Sequence, residues 1–215
     1  MNRDYQAVLW DFGGVITSSP FEAFNRYESE HDIPLDFIRT VNAINPETNA
    51  WAQFESSQIT AAQFDAAFAI ETQQAGHAIR GSVVIEMLSG AVRPRMVEVL
   101  KRCKQHYRIA CITNNVKAGQ GPGMSRNAQQ AAQVQAAMAL FDHVIESSKE
   151  GIRKPDPRIY RLACERVGVD PKQAVFLDDL GVNLKSAREL GMATIKVTSE
   201  TQAVGDLSAL LRLEF

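Results

Sequence analysis

Five short apolar runs, each strand-sized and most ending abruptly in a polar turn, constrain this chain more than any other feature of its sequence. The first, Gln6-Ala7-Val8-Leu9-Trp10, stops at Asp11-Phe12-Gly13-Gly14. Residues 108–112 stop at Thr113-Asn114-Asn115, residues 143–145 form a third run, residues 174–177 meet Asp178-Asp179, and residues 193–197 close the set. Short apolar runs bounded by turn signals read as strands buried on both faces. Between them lie helical patterns. Residues 94–106 start at Pro94 and place Met96, Val99, Leu100 and Cys103 on one face; residues 157–167 repeat the device with Pro157, Ile159, Leu162, Ala163 and Val167 before Gly168; residues 181–190 carry Leu184, Ala187 and Leu190 before Gly191. Strands alternating with helices of this length make βαβ units. The expected class is α/β: a Rossmann-like parallel sheet with helices on both faces.

Two segments break the alternation. Residues 18–90 offer no convincing strand but carry amphipathic helix patterns, Phe21, Phe24 and Tyr27 in one and Phe64, Ala67 and Phe68 in another, the latter with Thr60 as a candidate N-cap. With 215 residues the chain exceeds one ordinary domain by a modest margin. The expected division is therefore a core of residues 1–16 and 91–215 with an inserted helical cap of residues 17–90. Residues 117–127 read as a loop (Gly119, Gly121, Pro122, Gly123), followed by a Gln/Ala-rich helix over 128–139. A net charge of −2 argues against a broad nucleic-acid surface. No apolar stretch is long enough to span a membrane, and no secretory leader pattern opens the chain, so a cytoplasmic protein is expected. Cys103, Cys111 and Cys164 lack disulfide or zinc spacing and are expected to be buried free thiols.

The residues able to do chemistry sit at strand ends. Ligands of an open parallel sheet bind beyond the carboxyl ends of its strands. Asp11 follows the first strand, Thr113 and Asn114 the second, Lys154 comes soon after the third, and Asp178 and Asp179 follow the fourth, with Asn183 one turn on. Taken singly, each has a plain structural explanation: an Asp after a strand is often a turn former, Thr-Asn-Asn an N-cap cluster, Lys154 a solvated loop charge. Adjacent carboxylates after a buried strand are harder to explain structurally, because like charges repel there and a bound cation would relieve them. The coincidence of all four at one edge is the functional signal.

In order, spacing and strand context, Asp11-Phe12-Gly13-Gly14-Val15, Ile112-Thr113-Asn114-Asn115, Lys154-Pro155-Asp156-Pro157 and Phe176-Leu177-Asp178-Asp179 with Asn183 resemble the four motifs of the haloacid dehalogenase-like hydrolases. The resemblance runs from about residue 6 to residue 198. Residues 146–197 look most like the phosphatase-type N-terminal domain of soluble epoxide hydrolases and the hydrolase-like domain fused to some acyl-CoA dehydrogenases. The resemblance implies that Asp11 is a nucleophile forming an aspartyl-phosphate from a small phosphorylated molecule, and that Mg²⁺ is held by Asp11, the Gly13 carbonyl and Asp179, with Asp178 beside it. It further implies that Thr113 and the amides around Asn114 bind phosphoryl oxygens, that Lys154 neutralises charge, and that Asn183 orients Asp179 or Lys154.

One position departs from the phosphatase pattern. The family's phosphatases usually carry a general-acid aspartate two residues after the nucleophile, where this chain has Gly13. Glycine cannot transfer a proton, so three readings stay open: a phosphatase working without that acid or with a substitute such as Thr17, Ser18 or a cap residue; a 2-haloacid dehalogenase, against which the retained Asp178-Asp179 pair counts; and a non-catalytic phosphate-binding domain. Trp51, Phe54 and Glu55 resemble a segment that lies near the cap's active-site face in relatives, although plain core packing is the favoured expectation for Trp51 and Phe54. Arg26, Arg39 and Arg80 are candidates to meet a second anionic group or simply to be solvated.

Overall fold

The computed structural model describes residues 4–116 and 128–215. In chain order the strands are β1 (Ala7–Trp10), β2 (Arg108–Thr113), β3 (His143–Glu146), β4 (Ala174–Asp178) and β5 (Ala193–Lys196). They pair in parallel in the order β3-β2-β1-β4-β5. Each expected strand is present, with ends shifted by one residue or so. The expected loop at 117–127 lies outside the described residues.

Six helices separate β1 from β2: α1 (Pro20–Glu30), α2 (Phe37–Asn42), α3 (Ala50–Glu55), α4 (Ala61–Gln74), α5 (Gly81–Met87) and α6 (Pro94–Lys104). Beyond β2 come α7 (Ala128–Met138), α8 (Ser147–Glu150), α9 (Pro157–Val167), α10 (Gly181–Glu189) and α11 (Glu200–Leu211). The capping predicted at Thr60 forms as a reciprocal pair with Gln63. At α9, Asp156 accepts from the Arg158 amide at 2.9 Å while Pro157 occupies the first turn. These local signals fix where α4 and α9 begin.

All four residues of β1 are fully buried, because helices cover both faces of the sheet. Val8 and Trp10 pack with Met96, Leu100 and Leu207 of α6 and α11, whereas Ala7 and Leu9 point the opposite way onto Ile159, Ala163, Leu184 and Ala187 of α9 and α10. Each large apolar side chain so buried contributes roughly 1.5–3 kcal/mol. Helices α1 to α5 gather around a third cluster of their own, centred on Phe24, Phe54, Phe64 and Phe68, which Val116 joins from beyond β2. The chain enters and leaves this helical segment through a paired crossing: Thr17 bridges Val92, and Ser18 N–H donates to Ala91 C=O at 2.8 Å. Among the described residues no helix is long and apolar enough to cross a membrane.

Candidate active site

The strand register brings the predicted residues together. Trp10 pairs with Cys111 on one side and Leu177 on the other. Asp11 therefore leaves β1 beside Asp178, and its amide donates to the Leu177 carbonyl at 2.8 Å. The chain winds outward from β1 through β2 to β3, then returns to β4 on the far side of β1. The strand order reverses between β1 and β4, and an open α/β sheet leaves a crevice at such a point.

Lys154 reaches this crevice from the loop between α8 and α9. It is 1% exposed, and its Nζ lies 2.8 Å from both Asp11 Oδ1 and Asp178 Oδ2. Its backbone is clasped by Asn114, which accepts from the Lys154 amide (2.8 Å) and donates to the Lys154 carbonyl (3.0 Å). The Asn114 side chain is thus engaged in holding the lysine. Asn183 donates to both oxygens of Asp178 at 3.0 Å, and the Leu180 amide donates to Oδ1 at 2.8 Å. The expectation that Asn183 orients Asp179 or Lys154 is corrected here. The first turn of α10 folds Asn183 back beneath the end of β4, so it reaches Asp178 and acts on Lys154 only through it.

With these partners Asp178 has its acceptor capacity used inside the protein. Asp179 differs: among side chains it takes a hydrogen bond from Ser19 Oγ at 3.1 Å. Gly14 makes its position possible. At φ +76° it occupies the left-handed region, and a Cβ there would stand 2.2 Å from Asp179 Oδ2. Ser19 also caps α1, which ties the helical segment to this carboxylate; nothing in the sequence beyond its capping position singled it out.

Asp11, Asp178 and Asp179 present carboxylate oxygens within 4.8 Å of one another. Burial pushes the Asp11 carboxyl well above the usual range, against the pull of Lys154 and with the help of its two carboxylate neighbours. Burial, then the charge of Asp178, raises Asp179 as well. Burial alone would lower Lys154, yet Asp11 and Asp178 hold it protonated, above its ordinary value. Three carboxylates against one ammonium leave an excess of negative charge over a hard, all-oxygen donor set, which suits a divalent cation.

A cavity of about 480 Å³ opens above these groups. Asp11, Gly13, Thr113, Asn114, Lys154 and Asp179 line its inner end. Its walls are largely apolar, with Phe12, Phe21, Phe24, Leu88 and Val116, and helices α2 and α3 contribute Arg39, Asn42, Trp51 and Glu55. The segment at Trp51 divides. Phe54 is buried and stacks on Phe64 at 4.5 Å, whereas Trp51 and Glu55 face the cavity. Of the three flagged arginines only Arg39 lines it, lying over the Phe21 ring at 4.5 Å; Arg80 pairs with Asp65, and Arg26 is exposed. Arg153, also at the cavity, was missed although it adjoins Lys154 in sequence. The three cysteines are buried and free, with burial pushing Cys103 and Cys164 up to about 12.

A family model described as haloacid dehalogenase-like hydrolase matches residues 5–191. Acyl-CoA dehydrogenase family member 10 of Mus musculus is 32% identical over 215 residues, covering 97% of this chain and 19% of that protein. The chain thus spans about a fifth of that relative's length. Sesquiterpene phosphatase astK of Aspergillus oryzae is 25% identical over 217 residues, 98% of this chain and 99% of that one. A crystal structure of a family enzyme from Bacteroides thetaiotaomicron, in complex with magnesium and inorganic phosphate, superposes with a TM-score of 0.55 at 18% identity, covering 91% of this chain and 96% of that one.

Proposed function

The chain belongs to the haloacid dehalogenase-like hydrolase family, and from that membership we propose that it is a magnesium-assisted phosphatase of a small phosphomonoester. The observation that carries this reading is the buried Asp11–Lys154–Asp178 bridge at the inner end of a cavity that also receives Asp179. Phosphoryl transfer asks mainly for positioning and charge neutralisation, and this arrangement offers both.

Asp11 attacks phosphorus through a carboxylate oxygen, the ester P–O bond breaks, and the alcohol oxygen departs with the electron pair. Water then hydrolyses the aspartyl-phosphate, which releases inorganic phosphate and regenerates Asp11. Lys154 stays protonated between two carboxylates and neutralises charge on nucleophile and phosphoryl group. The Thr113 hydroxyl and the amides around Asn114 donate to phosphoryl oxygens. Mg²⁺, held by Asp11, the Gly13 carbonyl and Asp179, would supply the positive charge that the protein lacks; Asp178 and Asn183 support the site without binding it. Gly13 provides no proton for the leaving oxygen, so good leaving groups are favoured.

Helices α1 to α5, with their separate cluster and single paired crossing, support reading residues 17–90 as a cap over a core of residues 1–16 and 91–215. The apolar walls favour an apolar organic part on the substrate. The phosphatase names of several full-length relatives at 23–28% identity point the same way.

The test is phosphate release from p-nitrophenyl phosphate. It should require Mg²⁺ and vanish in Asp11→Asn with the fold intact. A broad panel of phosphomonoesters showing no turnover at saturating Mg²⁺ refutes the proposal. Chloride release from 2-chloropropionate in chelator would replace it with dehalogenation, and phosphate binding without turnover of any ester with a binding role.

A further inference from the structure

Helix α3 ends in a concentrated polar contact with the core, distinct from the crossing at Thr17 and Val92. The Arg153 guanidinium spans two parts of the helical segment: Nη1 donates to Glu55 Oε2 and Nη2 to the Pro46 carbonyl, each at 2.5 Å. The Glu55 side chain is 8% exposed and that of Arg153 19%. Ser147 Oγ donates to the Glu55 carbonyl at 3.2 Å and accepts from the Asn115 amide at 3.0 Å, while Ser57 Oγ donates to the Ser148 carbonyl at 3.2 Å. The helical segment is therefore held at this foot as well as at the crossing and through the Ser19–Asp179 bond, and residues of the foot and of the crossing both line the cavity.

The foot touches residues whose neighbours matter. Arg153 immediately precedes Lys154, and Asn115 immediately follows Asn114, so the foot grips both sides of the Asn114–Lys154 clasp. Burial of the Glu55 carboxylate is unfavourable on its own and raises its pKa, and the Arg153 charge is the largest opposing influence, with Lys154 and Trp51 adding to it. A buried pair of this kind contributes little net stability but strongly disfavours geometries in which either partner is left alone.

We infer that Glu55 is a positioning residue whose pairing with Arg153 docks α3 over the cavity and sets the backbone that carries Lys154, making closure and placement of the ammonium a single event. Its catalytic consequence rests on the phosphatase reading; its structural consequence does not. Trp51, on the same helix and facing the cavity, reports on the foot, because the other tryptophan, Trp10, is fully buried in the sheet.

The experiment compares Glu55→Gln, Arg153→Gln and the double variant with the parent chain, by acrylamide quenching of tryptophan fluorescence with and without orthovanadate and by kcat on p-nitrophenyl phosphate. Each single variant should quench more readily. Each should lose about ten- to a hundredfold in kcat, the scale on which a misplacement of ~1 Å lowers a rate. The double variant should be no worse than the worse single one, because both changes break one link. Glu55→Gln with unchanged quenching overturns the inference, as does increased quenching with unchanged kcat or additive losses in the double variant. If the parent chain turns over no phosphomonoester, the phosphatase reading fails separately, and the quenching arm alone decides whether the foot holds α3 closed.

Discussion

Replacing Gly13 by Asp asks whether the missing proton donor limits this site. The backbone permits the change, since Gly13 lies outside the left-handed region and a Cβ built on it meets only Pro20 Cδ, at 3.9 Å. The new carboxyl would enter the cavity beside Asp11 and Thr17. At about 6–8 Å from Asp11 and an effective dielectric of about 20, the two carboxylates repel by roughly 2–3 kcal/mol. That repulsion favours the protonated form, the one a general acid must start from. General acid–base assistance is worth about 10²–10⁴ in rate, and its value grows as the leaving group becomes more basic. Gly13→Asp should therefore raise kcat/KM for an alkyl phosphate by at least about 10², and for p-nitrophenyl phosphate far less. Phosphate release from both esters at one Mg²⁺ concentration, with melting curves to verify the fold, gives the comparison. An equal gain on both esters, or none on the alkyl ester, refutes the reasoning: either another group already donates the proton or chemistry does not limit turnover.

Gly14→Ala has the opposite character, because its Cβ would stand 2.2 Å from Asp179 Oδ2 in a conformation disfavoured for alanine; it should weaken Mg²⁺ binding, measured by titration calorimetry, as well as lower the melting temperature. Lys154→Met leaves Asp11 and Asp178 buried without their shared cation. A cost of about 3–5 kcal/mol follows, read as a melting temperature lower by roughly 6–20 °C at neutral pH, and a shift of less than about 3 °C contradicts it. Asp11 and Asp179 both have raised carboxyls. Between the ordinary carboxylate value of about 4 and their raised folded values, the folded chain binds more protons than the unfolded one, so stability without metal falls as pH rises through that window. A cation favouring the ionised carboxylates offsets the loss. The gain in melting temperature from Mg²⁺ should grow from about pH 5 to about pH 8 and disappear in chelator, and a gain independent of pH would count against the shifts.

Local signals made most of the fold readable in advance. The run ending at Trp10 could only be a buried strand, and Thr60 and Pro157 marked helix starts because their capping chemistry is complete within a few residues. C-terminal helix α11 went unread although its buried positions Ala203, Val204, Leu207 and Leu211 recur at helical spacing on one face. Arg153 and Ser19 were missed because their roles are long-range. Each matters through a residue about a hundred positions or more away, Glu55 or Asp179, and no local pattern records such a pairing.

The sequence by itself determined that four chemically loaded turns follow four buried strands, because strand ends and turn formers are properties of short stretches of chain. Which carboxylate is satisfied and which remains available was decided only by the tertiary structure. Asp178 and Asp179 are adjacent and chemically identical, yet β4 directs the first inward onto Lys154 and Asn183 and leaves the second facing Gly14, Ser19 and the cavity. The alternation of side chains along a strand and the return of β4 beside β1 set that difference, and both depend on contacts between residues far apart in the chain.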